Sequence, residues 1–124
     1  MKANPVTVLV VDDDPAQTML FRRILERQGY RICTAPNGVE ALKVLEVEAV
    51  NLVITDRMMP VMDGMDLTAA IRRDKRFAQI PVIMVTASAD DETMELGMRT
   101  GAALTLEKPV DSEKLINLVG FAVS

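Results

Sequence analysis

Five short runs of β-branched and apolar residues alternate with five longer helical patterns, and this alternation constrains the fold more tightly than anything else in the chain. Residues 6–11 are almost all Val and Leu, the continuous apolar signature of a strand buried on both faces. Asp14 can cap the helix that follows, and Pro15 suits its first turn. In that helix Ala16, Leu20 and Ile24, with Phe21 and Leu25 beside them, form a broad core-facing stripe, and Gly29 supplies a left-handed stop. A second strand is expected over 30–35. Asn37 and Glu40 make a plausible capping pair for a helix through residue 48. A third strand covers 52–55 and ends in Asp56; residues 57–63, with Pro60 inside and Gly64 behind, form a loop. A short helix is expected over 66–73, a strand over 81–86 with Pro81 at its first position, and a helix over 90–100 closed by Gly101. A fifth strand over 103–106 and a helix from Asp111 to about residue 122 complete the series.

Strands and helices alternating this regularly call for right-handed crossovers, hence an α/β fold with a parallel sheet and helices on both faces. The length of 124 residues fits one domain, 1–124, large enough to bury a core without disulfides or a structural metal. Hydrophobic residues at 49% exclude a disordered chain; the absence of His and the single Cys33 exclude zinc fingers, disulfide scaffolds and His-based catalysis. No apolar run approaches the roughly 20 residues that span a bilayer, and no signal peptide opens the chain, so a cytoplasmic location is expected. Lys and Arg number 14 against 18 Asp and Glu, a balance of −4 that argues against direct nucleic-acid binding.

In doubly wound sheets ligands sit beyond the carboxyl ends of the strands. Those places hold Asp12-Asp13-Asp14, Asp56, Thr86-Ala87-Ser88 and Glu107-Lys108-Pro109. Several carboxylates, one hydroxyl and one ammonium are thus delivered to a single edge. Crowded carboxylates disfavour their own ionisation, a cost that a hard divalent cation reverses, and Mg²⁺ is commonly held by one or two carboxylates with waters and phosphate oxygens. Phosphoryl transfer is the chemistry such a set implies, since positioning and charge neutralisation supply most of its catalysis.

The segments VLVVDDDP, ITDRMMPVMDG, VTAS and EKP, in this order, resemble the response-regulator receiver domain of two-component signalling over residues 6–122. The resemblance implies a flavodoxin-like five-stranded sheet of order 2-1-3-4-5 flanked by five helices. It also implies a Mg²⁺-dependent acceptance of a phosphoryl group by Asp56 from a phosphohistidine of a sensor kinase or phosphotransfer protein. Asp12 and Asp13 are similar to the family's metal-holding acids. The backbone carbonyl of Met58 falls at its third protein ligand, beside Asp56 itself. Thr86 resembles the hydroxyl that bonds the phosphoryl oxygen, Lys108 the cation paired with it, Lys108-Pro109 the often cis peptide, and Gly64 the glycine that turns the loop into its helix. The output partner would be a separate protein or an output domain; Met1 and the end at Ser124 fit either a stand-alone regulator or an N-terminal receiver, monomeric or weakly dimeric.

Two departures from that pattern stand out. Thr105 occupies the position where the family commonly carries an aromatic, which directs output toward the loop after Thr86 and the fourth helix, where Met94 and Met98 lie one turn apart. By the same resemblance Met58 and Ser88 would flank the path of the water that hydrolyses the acyl phosphate, and an apolar Met58 could not orient it. Cys33 is expected to be a buried, inert residue, and the cluster Met58, Met59, Met62, Met65 to serve as core filler or an adaptable partner surface. Arg72, Arg73, Lys75 and Arg76 are expected to complement a helix dipole. Two rival readings remain: a small haloacid-dehalogenase-like phosphatase with Asp12 as nucleophile, against which Ala16 replaces the usual Thr, and a receiver-like scaffold that needs no phosphorylation.

Overall fold

The computed structural model describes residues 5–87 and 90–124. The order is β1 (Thr7–Val11), α1 (Pro15–Glu26), β2 (Arg31–Ala35), α2 (Gly38–Val47), β3 (Leu52–Asp56), α3 (Gly64–Arg73), β4 (Val82–Thr86), α4 (Asp91–Thr100), β5 (Leu104–Glu107) and α5 (Ser112–Val123). All strand pairs are parallel, and the sheet runs β2-β1-β3-β4-β5, the expected doubly wound order. β1, β3 and β4 are buried along their whole length, which explains their unbroken apolar sequence.

Alternate residues of each strand face opposite layers. Val8 and Val10 of β1 join Leu52, Ile54, Ile83 and Val85 in a core completed by Phe21, Leu25, Leu115 and Val119 of α1 and α5. Leu9 and Val11 point the other way, into a core shared with Ala41, Leu45, Leu67 and Ile71 of α2 and α3. Among the described residues no helix is long and apolar enough to cross a membrane.

Asp14, Asn37 and Asp111 cap their helices as expected, each side chain accepting a first-turn N–H at 2.9–3.0 Å. α3 begins at Gly64 rather than 66, because Asp63 is its cap and accepts from the Asp66 N–H at 2.9 Å. Cys33 is half-buried instead of buried, since β2 is an edge strand with one flank uncovered. The basic cluster does more than complement a dipole. Arg72 donates to the carbonyls of Ile80 (2.7 Å), Gly101 (3.0 Å) and Ala78 (3.2 Å), tying the end of α3 to the starts of β4 and β5.

Candidate functional site

The order reverses at β1, whose partners β2 and β3 lie on opposite sides, and a crevice is expected beyond the carboxyl ends there. Asp12 follows β1 directly. Its N–H donates to the Ala35 carbonyl at 3.1 Å, and its Oδ1 accepts the Asp14 N–H at 2.9 Å, so the three consecutive acids fold into a tight turn. That turn leaves Asp12 buried and Asp13 exposed. Asp56 is the last residue of β3 and only 8% exposed; the next N–H, of Arg57, is held by the Val85 carbonyl at 2.8 Å. Carboxylate oxygens of Asp12, Asp13 and Asp56 all lie within 4.8 Å of one another.

Thr86 ends β4, buried, and its carbonyl accepts the Lys108 N–H at 2.8 Å. Lys108 extends its Nζ to 3.2 Å from Asp56 Oδ1, and the Lys108–Pro109 peptide is cis. Five of the expected site residues, Asp12, Asp13, Asp56, Thr86 and Lys108, therefore sit at one edge. Met58 lies in the loop after Asp56 with its side chain 68% exposed. Ser88 and the side chain of Met94 lie outside the described residues.

Burial pushes the Asp12 carboxyl above its ordinary range; the charges of Asp56 and Asp13 add to this, while the Asp14 N–H and Lys108 oppose it. A cluster of three acids facing one lysine is short of positive charge. Hard oxygen donors converging in this way fit Mg²⁺, and a cleft of about 160 Å³ lined by Asp12, Asp13, Pro15, Thr18 and Thr34 opens beside them. A larger cleft, about 430 Å³, lies at the opposite sheet edge among Pro5, Arg31 and Asn51 and bears none of these residues.

The loop 57–63 carries features that sequence reasoning missed. Val61 adopts φ +71°, and the Met62 N–H donates back to the Pro60 carbonyl at 2.8 Å, the geometry of a γ-turn with a β-branched residue at its centre. Gly64, already marked in the sequence as the turn into the helix, is needed for space: a Cβ there would collide with the Asp56 carbonyl oxygen. The buried Nε of Arg57 finds no partner among the described residues.

The response regulator receiver domain model matches residues 8–120. An uncharacterized 14.6 kDa protein of Leptolyngbya boryana is 42% identical over 90% of this chain and 86% of its own length. Protein PilH of Pseudomonas aeruginosa is 32% identical over 90% of this chain and 93% of its own. The transcriptional regulatory protein GlrR of Escherichia coli is 37% identical over 99% of this chain, but the match occupies only 27% of that longer protein. The chemotaxis protein CheY4 of Vibrio cholerae superimposes with a TM-score of 0.92 at 29% identity, covering 96% of this chain and 99% of that one. Both the sequence match and the shared sheet order lead to one assignment: the chain belongs to the response regulator receiver domain family of two-component signalling.

Proposed function

We propose that this receiver accepts a phosphoryl group on Asp56 from a phosphohistidine and that the modified state changes its affinity for an output partner. The observation that carries this reading is the 3.2 Å contact between Lys108 Nζ and Asp56 Oδ1 inside a cluster of three carboxylates. One carboxylate oxygen of Asp56 attacks phosphorus; the P–N bond of the donor breaks, and its electron pair returns to the imidazole, leaving an acyl phosphate. Lys108 then pairs with the phosphoryl oxygens in place of the bare carboxylate, and the Thr86 hydroxyl donates to one of them. Asp12, Asp13, Asp56 and the Met58 carbonyl would hold Mg²⁺. Bound there, the ion would neutralise the acids and the incoming phosphoryl oxygens.

The donor is a histidine kinase or a histidine phosphotransfer protein, and the receiver, residues 1–124, acts as a phosphoacceptor switch rather than an enzyme with turnover on other substrates. Thr105, half-buried on β5, is too small for an aromatic swing. Output therefore runs through the segment after Thr86 and through α4, where Leu96 and Met98 are 42% and 71% exposed. Such a switch works by differential affinity of the partner for two states.

The test treats wild type and Asp56→Asn with acetyl phosphate, with and without Mg²⁺, and follows intact mass. A phosphoryl adduct on wild type that needs Mg²⁺ and disappears in Asp56→Asn is expected. An adduct mapped to Asp12 would instead support the phosphatase reading, and no adduct at all the scaffold reading.

A further inference from the structure

We propose that Gly38, the first residue of α2, is a positioning residue for phosphoryl acceptance: its bare Cα is the seat on which Met62 holds the loop that follows Asp56. This rests on the assignment of Asp56 as acceptor. The Gly38 N–H donates to the Met62 carbonyl at 3.1 Å. A Cβ added at Gly38 would stand 2.5 Å from Met62 Cγ, 2.7 Å from Sδ and 2.9 Å from Cβ. The φ of Gly38 is not in the left-handed region, so what the position demands is space, not backbone freedom.

The loop needs such an anchor. A γ-turn centred on Val61, at φ +71°, is a costly conformation that persists only where the surroundings dictate it. Val61 itself is 81% exposed and offers no packing to do so. The constraint comes from both flanks. On one, Met62 is pinned to Gly38 by a backbone hydrogen bond and a close side-chain contact, and packs with Met59 against the core between the sheet and α2. On the other, the Gly64 N–H bonds the Arg57 carbonyl at 2.9 Å, and the Gly64 Cα lies flush against the Asp56 carbonyl. Two glycines on neighbouring helices thus clamp the segment that follows Asp56 and sets where the Met58 carbonyl sits beside it.

Propensity makes the inference sharp. Alanine is a better helix former than glycine, so Gly38→Ala by itself favours α2. Its added methyl group, however, has to displace Met62 and with it the loop.

The experiment compares Gly38→Ala, Met62→Ala, the double variant and Ala41→Gly, a buried site one turn further along the same helix whose N–H bonds the Asn37 carbonyl and not the loop. Phosphorylation by acetyl phosphate with Mg²⁺, amide shifts of residues 57–63 without ligand, and melting temperature are measured on each. Gly38→Ala is expected to shift the loop amides and slow phosphorylation by about tenfold to a hundredfold, the cost of misplacing a reacting group by an ångström or less. Met62→Ala, mildly slow on its own, is expected to restore much of the rate when added to Gly38→Ala, a reversal of sign that a merely structural role does not produce. Ala41→Gly is expected to melt lower yet react as wild type. Unchanged loop amides and rate in Gly38→Ala, or equal slowing in Ala41→Gly, would overturn the proposal. Failure of wild type to carry phosphoryl on Asp56 would instead sink the acceptor assignment, while the amide shifts still report on the seat.

Discussion

At the carboxyl edge of the sheet three carboxylates face one lysine, whereas at the amino edge Arg72 and Arg76 are each well supplied with acceptors. Arg76 makes two 2.7 Å bonds to Glu46, a 2.8 Å bond to Asp74, and lies 4.7 Å from the centre of the Phe77 ring. The two edges shift their acids in opposite directions. Burial and neighbouring acids raise Asp12, while hydrogen bonds from Arg76 lower Asp74. Charge at the amino edge is settled in the folded chain and ties loops together. At the carboxyl edge it is held unsettled, which suits a site completed by a cation and a phosphoryl group. The contrast separates residues kept for stability from residues kept for chemistry.

Breaking the carboxyl edge is expected to have the largest effect, and on activity rather than stability. Asp12→Asn keeps the oxygen that accepts the Asp14 N–H but removes a disfavoured charge. Phosphorylation should fall by about a hundredfold or more, as for lost charge stabilisation in phosphoryl transfer. Melting without Mg²⁺ should rise by a few degrees, and the further rise on adding Mg²⁺ should vanish. Differential scanning calorimetry with and without the cation checks both; a lower melting temperature would erase the contrast between the edges.

Breaking the amino edge should do the converse. Arg72→Ala removes three hydrogen bonds from a charged donor to the carbonyls of Ala78, Ile80 and Gly101. The loss should be about 2–3 kcal/mol in urea unfolding, with the phosphorylation rate unchanged. A smaller effect is expected at the loop between chemistry and solvent. Met58→Asn puts a hydrogen-bonding group where an exposed thioether now stands, and should shorten the phosphoryl half-life severalfold by orienting water; an equal or longer half-life would refute it.

How much of this was legible beforehand differs between the edges for physical reasons. Asp12 and Lys108 follow β1 and β5 directly, Asp56 and Thr86 end β3 and β4, and once the strands are parallel their ends must meet at one edge. Strand periodicity, with the rule that ligands sit beyond the carboxyl ends of such strands, therefore points to this cluster, while the roles proposed for its members come from the family resemblance. In the sequence Arg72 shows only as a helix-end charge, because its acceptors come from segments that only the tertiary fold brings to it. The contact of Met62 with Gly38 had no local signal at all, since it depends on an atom that glycine lacks. Cys33 reads as an inert Cys of the kind usually buried, but residue type does not tell an edge strand from a central one.

The smallest effects differ in sign between the two edges. Asp12 has a folded-state pKa raised above its ordinary 3.8, so the folded chain takes up that proton while the unfolded chain is still ionised. Its contribution favours folding at low pH and is lost as pH rises through the folded value. Asp74 has a folded-state pKa lowered below 3.8; its contribution is present above that value and is lost as pH falls through the folded one. Subtracting the melting curves of Asp12→Asn and Asp74→Asn from wild type between about pH 3 and pH 7 should therefore give slopes of opposite sign. Arg76 and Glu46 are exposed and Asp74 is only half-buried, so Arg76→Ala should cost less than Arg72→Ala. That cost should fade near about 1 M salt, where screening reaches within about 3 Å, whereas the loss in Arg72→Ala, made through part-buried carbonyl contacts, should persist. If salt abolished both losses alike, the amino edge would be held by surface charge alone, and Arg72 would not be the tether its three carbonyl bonds make it.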